Sequence, residues 1–192
     1  MRILLICLGL LLVSGCAYRA EEAPAGSWQA QKQQLAGLQN WQLAARLGII
    51  TPEERGSLSL FWRQDSGDYR LNLTNVVGKR VFDLSRRSGR IELIDSEGRR
   101  HTAANAQALV YELTGWNLPV EQLADWIKGL PGDADTVSFD ADGRPARVQS
   151  HGWQLSYLGY TQIDGLWLPS RLELSHDTTN LKLAVNRWEL NP

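Results

Sequence analysis

Residues 41–49 read Trp-Gln-Leu-Ala-Ala-Arg-Leu-Gly-Ile, and this stretch decides the fold class because apolar side chains occupy every second position. Successive side chains of a β-strand point to opposite faces of the sheet. A period of two therefore places Trp41 and Leu43 on one face and Gln42 on the other. The segment is predicted to be a strand with one apolar face.

The same alternation returns along the rest of the chain, and it predicts about eleven strands in total. Turn sequences such as Asp65-Ser66-Gly67 and Asp142-Gly143 separate the segments, and turns of this kind join neighbouring antiparallel strands. An antiparallel sheet with this many strands curls to bury its apolar face. The other predicted strands are residues 57–62, 69–74, 81–84, 90–94, 99–102, 136–139, 147–150, 153–158, 166–174 and 181–190.

Apolar residues recur at helical spacing in three further segments. Ser27 can cap the first of these helices. The second spans about residues 103–113 and closes at Gly115, and the third runs from about Val120 to Gly129. The helices inserted between the strands can cover the open side of a curled sheet. The predicted fold is mainly β (α+β), an incomplete antiparallel β-barrel of about 11 strands with a lid of about three α-helices.

The N-terminal segment is predicted to direct and tether the chain. Arg2 is followed by eleven mostly apolar residues, which is typical of a cleaved secretory signal and too short for a transmembrane helix. The sequence up to Cys16 resembles a bacterial lipobox, so we expect residues 1–15 to be a lipoprotein signal peptide and Cys16 to carry the lipid. Residues 16–26 lack apolar periodicity and are predicted to be a flexible tether to a single domain at residues 27–192. An ordinary cleaved signal with an incidental cysteine is the alternative.

Composition and motifs argue against several classes of protein. The chain has 20 basic and 21 acidic residues, a formal charge of −1, so nothing favours nucleic-acid binding. Cys16 is the only cysteine expected in the mature chain, which leaves no intramolecular disulfide. His101, His151 and His176 lie far apart without metal-site spacing, and no serine lies in a nucleophile motif. We expect a monomer with no metal, no cofactor and no catalytic residue.

Several segments resemble the LolB family. The most specific is Leu-Thr-Gly-Trp-Asn-Leu-Pro at residues 113–119, followed by Leu123, Trp126 and Gly-Leu-Pro-Gly at residues 129–132. Together with the lipobox, the similarity covers nearly the whole mature chain. The resemblance implies a half-barrel whose helical lid encloses an apolar cavity for acyl chains. The other similar segments are residues 41–47, 69–78 and 181–188.

The resemblance also implies a function. A member of this family accepts acylated lipoproteins from the periplasmic carrier LolA, binds their acyl chains and inserts them into the outer membrane without acting as an enzyme. Ala17 after Cys16 favours delivery to the outer membrane under the sorting rule that accompanies the resemblance. The expected partners are LolA, the lipoprotein cargo and outer-membrane lipid, with the chain anchored through Cys16 on the periplasmic face. The alternatives are a scaffolding envelope lipoprotein without a lipid cavity and a small lipid or cell-wall hydrolase.

A membrane-insertion loop is the second feature that the resemblance implies. The family usually carries a Pro-Leu-Gly turn whose exposed leucine pushes cargo into the membrane, and the matching residues here are Val76, Val77 and Gly78. Valine in place of leucine removes about one methylene, roughly 0.8 kcal/mol of membrane contact. On sequence alone, both valines fit equally well as strand residues that point into the core. Lys79 and Arg80 can contact anionic headgroups, although a solvated turn explains two charges as well.

Large apolar side chains on the predicted inner face and on the third helix are candidates for lining the acyl-chain cavity. A solid core is the simpler explanation of the same residues when periodicity alone is considered. The candidates are Trp62, Leu71, Leu73, Trp126, Leu130 and Trp153.

Overall fold

A computed structural model describes residues 27–192 of the chain. The predicted signal peptide, the lipidation site Cys16 and the tether at residues 16–26 lie outside the described residues. Within the described residues, no helix has the length and apolar character needed to cross a membrane.

Three helices and eleven strands follow one another in the predicted order of one helix, six strands, two helices and five strands. The helices are α1 (Trp28–Gly37), α2 (Ala106–Thr114) and α3 (Val120–Trp126). The strands are β1 (Asn40–Ile50), β2 (Arg55–Asp65), β3 (Asp68–Asn75), β4 (Arg80–Arg87), β5 (Arg90–Asp95), β6 (Arg100–Ala103), β7 (Thr136–Phe139), β8 (Pro145–Ser150), β9 (Trp153–Ile163), β10 (Leu166–His176) and β11 (Thr179–Leu190).

The eleven strands form one open antiparallel sheet in the order β6-β5-β4-β3-β2-β1-β11-β10-β9-β8-β7. Strands that are neighbours in sequence pair with each other, except β6 and β7, and at the centre of the sheet the first strand pairs with the last. Strands β6 and β7 are the two edges. The incomplete antiparallel barrel with a three-helix lid is therefore confirmed.

Strand register arranges apolar side chains in rows across the inner face, which is the face that carries the buried side chains. In β1, every second residue from Trp41 to Ile49 is buried. Leu43 lies opposite Trp62 of β2, and Trp62 lies opposite Leu71 of β3. Directly opposed side chains stand about 4.5–5.5 Å apart at Cβ, so neighbouring strands bury each other's apolar groups.

Helix α2 begins later than the predicted start near residue 103. Ala103 belongs to β6, where it pairs with β5. Asn105 then provides the N-cap, because its side-chain oxygen accepts a hydrogen bond from the backbone N–H of Ala108 at 2.8 Å. Such a cap satisfies one of the free N–H groups of the first turn. The predicted caps at Ser27 and Gly115 are confirmed.

Helix α3 is shorter than predicted, and a hydrogen bond and an aromatic contact connect it to β9. It ends at Trp126 instead of Gly129, because residues 127–129 form a turn. The hydroxyl of Tyr157 on β9 donates to the carbonyl oxygen of Trp126 at 2.9 Å. The rings of Trp126 and Trp153 lie 6.4 Å apart. These contacts hold this part of the lid against the inner face.

Candidate functional site

The turn between β3 and β4 carries Val76, Val77 and Gly78 at its tip. Val76 is 69 % exposed and Val77 is 81 % exposed. Both lie beyond the end of β3. The alternative interpretation, in which these valines are strand residues that point into the core, is therefore wrong.

Asn75 holds this turn together. Its side-chain oxygen accepts hydrogen bonds from the backbone N–H groups of Val77 at 3.1 Å and Lys79 at 2.9 Å. Its own carbonyl oxygen accepts from the Gly78 N–H at 2.9 Å. Gly78 has a φ of +79°, which glycine adopts at little cost. Because the backbone is satisfied within the turn, the valine side chains are free to extend away from the protein.

Two basic residues follow the apolar tip. Lys79 and Arg80 are exposed, and neither forms an ion pair within residues 27–192. Asn75 is neutral, so no carboxylate belongs to this turn. The tip therefore combines two apolar side chains with two unneutralised positive charges.

All six candidate cavity residues are buried, with exposures from 0 % to 7 %. One group lies on the neighbouring strands β2 and β3 and consists of Trp62, Leu71 and Leu73. The second group lies around α3 and β9, on the other side of β1 and β11, and consists of Trp126, Leu130 and Trp153. Other parts of the domain therefore cover all six side chains in the described arrangement.

The lid is held by a small number of specific contacts. The indole N–H of Trp116, between α2 and α3, donates to a carboxylate oxygen of Glu54 at 3.3 Å, and its ring lies 6.4 Å from that of Phe82. Burial raises the pKa of Tyr157 well above its usual value, so its hydroxyl remains the donor to the carbonyl oxygen of Trp126.

Trp41 is a central side chain that sequence reasoning did not single out as a site residue. It is 0 % exposed and lies between Trp62 and Trp188, with ring centroids 5.5 Å from each. Tilted and edge-on aromatic pairs at such distances add to the stabilisation from burial alone. The available signal was its place on the apolar face of β1, which it shares with Leu43.

Two histidines pair with carboxylates close to hairpin turns. His101 lies 3.0 Å from Asp95, and His176 lies 3.2 Å from Asp177. Hydrogen bonds from His101 and then Arg99 lower the pKa of Asp95. Across residues 27–192, no group of three His, Cys, Asp or Glu side chains is arranged to hold a metal ion.

Comparison with known sequences gives a consistent result along the chain. The family model described as "Outer membrane lipoprotein LolB" matches residues 39–188. An outer-membrane lipoprotein LolB of Aeromonas hydrophila is 43 % identical over 181 residues, which cover 94 % of this chain and 93 % of that protein. An outer-membrane lipoprotein LolB of Pseudomonas aeruginosa is 36 % identical over 197 aligned positions, covering 98 % and 96 %.

Solved structures share the fold at low sequence identity. A DUF1329 family protein from Desulfovibrio piger aligns with a TM-score of 0.53 at 8 % identity, over 84 % of this chain and 90 % of that one. A LolA-superfamily protein from Nitrosomonas europaea aligns with a TM-score of 0.51 at 10 % identity, over 86 % and 94 %. These proteins thus share the overall fold of this chain.

Proposed function

The chain belongs to the LolB family of outer-membrane lipoproteins, and from this premise we propose that it accepts acylated lipoproteins from the periplasmic carrier LolA and inserts them into the outer membrane. The family resemblance predicted from the sequence is confirmed. A receptor of this kind binds and releases its cargo without covalent chemistry, so the chain is not an enzyme. Family membership also argues against the hydrolase and scaffold alternatives.

The observation that carries the proposal is the exposed valine pair of the β3–β4 turn. Val76 and Val77 contribute nothing to the core, and the turn is closed by Asn75 and Gly78. Exposed apolar surface costs about 25 cal/mol per Å² in water and recovers that free energy when it enters a lipid phase. The tip is therefore suited to enter the membrane, with Lys79 and Arg80 at the level of the headgroups.

Acyl chains are the part of the cargo that the inner face would bind. Exposing a chain of about 15 methylenes to water costs on the order of 12 kcal/mol at about 0.8 kcal/mol per methylene. A carrier and a receptor that both offer apolar surfaces avoid this cost. The free-energy change of the transfer is then a small difference between two large binding free energies. No nucleotide is then required.

Cargo entry requires the lid to open. In the closed arrangement, Trp126 packs on Trp153 and accepts the hydrogen bond of Tyr157. An incoming acyl chain would replace the apolar contacts of α3 with contacts of its own. The free energy of burial is therefore largely conserved while the helix moves.

Anchoring through Cys16 completes the proposal. A triacylated Cys16 would hold the chain on the periplasmic face of the outer membrane, because one acyl chain binds only marginally and additional chains make anchoring stable. The tether at residues 16–26 would then connect the anchor to the folded domain.

The direct test follows cargo in two settings. Purified LolA loaded with a labelled lipoprotein is mixed with the mature chain, and transfer is measured before and after phospholipid vesicles are added. We expect the label to move to the chain and then to the vesicles. Lipoproteins that still reach the outer membrane at normal levels in cells depleted of this protein would rule out the proposed function.

A further inference from the structure

Polar side chains form a row across three neighbouring strands near one end of the inner face. Trp41 of β1 lies opposite Gln64 of β2, and Gln64 lies opposite Tyr69 of β3. These three residues are called the polar row below. Two positions further along each strand lies a row of large apolar side chains, formed by Leu43, Trp62 and Leu71.

The polar row carries hydrogen-bond donors that the described chain does not use. Trp41 is 0 % exposed and Tyr69 is 8 % exposed. The indole nitrogen of Trp41 and the hydroxyl of Tyr69 are both buried without a partner in residues 27–192. Gln64 accepts from the indole N–H of Trp62 at 3.3 Å through its oxygen, which leaves its amide NH₂ as a further donor. Buried donors without acceptors are costly, so such a row calls for a ligand or bound water.

The donors of the polar row are neutral. Burial is the main cause of the raised pKa of Tyr69, the Glu121 carboxylate raises it further and Arg86 opposes the change, so the hydroxyl keeps its proton at neutral pH. A cleft of about 270 Å³ is lined by Trp41 and Gln64 of the row and by Asp125 and Lys128, whereas Tyr69 lines a separate, neighbouring cleft. The ammonium of Lys128 lies 3.1 Å from the carboxylate of Asp125, which balances its charge. Neutral donors beside a balanced ion pair suit an uncharged oxygen acceptor better than a carboxylate or a phosphate.

We infer that the polar row binds the ester carbonyls of the acylated cysteine of the cargo, with the acyl chains lying along the adjacent apolar row. This inference rests on the proposed function. Two residues along a strand span about 6.6–6.8 Å. A carbonyl held by Tyr69 or Trp41 therefore places the first methylenes of its chain at Leu71 and Trp62. The order of polar and apolar groups on the sheet matches their order in an acyl ester.

The test compares two ligands that differ only in these carbonyls. One is a fluorescently labelled cysteine peptide with two hexadecanoyl ester chains on its glyceryl group, and the other is its dialkyl ether analogue. The protein is the mature chain with the Cys16→Ser substitution, which removes the lipid anchor and nothing else. Affinities are measured by fluorescence anisotropy. We expect the wild-type domain to bind the ester about three- to tenfold more tightly, the effect of one or two neutral hydrogen bonds.

A substitution in the protein, combined with the two ligands, gives a double-mutant cycle. Tyr69→Phe removes one hydroxyl and should reduce the ester preference by about threefold while leaving ether affinity unchanged. Tyr111→Phe is the matched control, because Tyr111 is 60 % exposed, and it should change neither affinity. Thermal unfolding of both variants should match that of the wild type.

The outcomes separate the inference from the function on which it rests. Equal affinity of the wild type for ester and ether overturns the inference and leaves the proposed function in place. An equal loss of affinity for both ligands in Tyr69→Phe also overturns the inference, since the hydroxyl would then act on the fold or hold a water molecule. Failure of the wild type to bind either ligand contradicts the proposed function itself. If Tyr69→Phe does not fold, the comparison of the two ligands on the wild type still decides.

Discussion

The β3–β4 turn and the β5–β6 turn have the same backbone arrangement and opposite surfaces. In each, the first side chain, Asn75 or Asp95, accepts hydrogen bonds from the backbone N–H groups two and four residues later. In each, the fourth residue is a glycine at positive φ. Residues 75–79 are called the apolar turn and residues 95–99 the polar turn below. Their central residues are Val76 and Val77 in the apolar turn and Ser96 and Glu97 in the polar turn.

A third turn, residues 140–144, repeats the arrangement with Asp140 as the accepting residue and Gly143 at positive φ. Its central residues are Ala141 and Asp142. Three turns with one geometry thus tolerate three different central pairs. The comparison shows that folding does not require the valines of the apolar turn, so their presence points to a contact outside the domain.

The first residue of each turn also sets the charge around it. Asp95 pairs with Arg99 at 2.8 Å, and Asp140 pairs with Arg144 at 3.0 Å. Asn75 carries no charge, so Lys79 at the matching position has no counterion within its turn. One difference, an amide in place of a carboxylate, therefore frees a cation beside the apolar tip.

The largest effect is expected from Val77→Glu, which makes the apolar turn match the polar turn at the position of Glu97. Because Val77 is 81 % exposed, the free energy of unfolding should change by no more than about 0.5 kcal/mol. Delivery of cargo from the protein to vesicles should fall by about tenfold or more, because burying a valine contributes about 1.5 kcal/mol and a charge opposes entry into the membrane. Urea unfolding and the vesicle transfer assay measure the two quantities.

Ser96→Glu provides the matched control, since it adds the same charge to the polar turn and leaves the valines in place. Cargo delivery by this variant should remain close to that of the wild type. A loss of stability in Val77→Glu would break the comparison, because it would mean that the valine packs on the domain. Equal loss of delivery in both variants would show that net charge, and not the apolar tip, governs membrane contact.

Sequence reasoning recovered the fold because its signals are local. Alternation with a period of two located all eleven strands, and capping residues located the helices, since side chains at these positions satisfy the backbone of the nearest turn. The end of α3 was missed by a few residues. Gly129 looked like a helix terminus, whereas the last helical residue is Trp126 and a separate turn follows.

The sequence alone did not decide whether the valine pair is exposed or buried, because valine favours strands. The deciding signal was nevertheless present, since an Asn or Asp followed three residues later by Gly and then by a basic residue occurs at residues 75–79, 95–99 and 140–144. The polar row could not be predicted from the sequence, for a different reason. Trp41, Gln64 and Tyr69 become neighbours only through strand register, and register is a non-local property.

A smaller effect is expected from Asn75→Asp, which introduces the accepting residue of the polar turn. The fold should be unchanged, because aspartate serves this role at residues 95 and 140. The new carboxylate should neutralise Lys79 and lower affinity for vesicles that contain phosphatidylglycerol by about fivefold, since each basic residue near an anionic surface contributes about 1 kcal/mol. Sedimentation with such vesicles and with purely zwitterionic vesicles measures the effect.

Lys79→Gln sharpens this prediction. If Asn75→Asp acts through Lys79, the two substitutions combined should weaken binding little more than either one alone. Equal weakening on zwitterionic vesicles would contradict an electrostatic origin and indicate that the turn itself has changed shape.

The smallest effect concerns the stability of the two turns at low pH. Hydrogen bonds from His101 and Arg99 lower the pKa of Asp95 below its ordinary value of 3.8. A carboxyl group whose pKa is lowered by folding stabilises the native state fully above its unfolded pKa and loses that contribution as the pH falls below it. Asn75 has no proton to bind, so the apolar turn adds nothing to this dependence. Asp95→Asn should therefore flatten the dependence of the unfolding free energy on pH below about pH 4, and Asn75→Asp should steepen it. Urea unfolding between about pH 2 and pH 7 measures both slopes. An unchanged slope in Asp95→Asn would mean that the hydrogen bonds and ion pairs of Asp95 do not stabilise the native state.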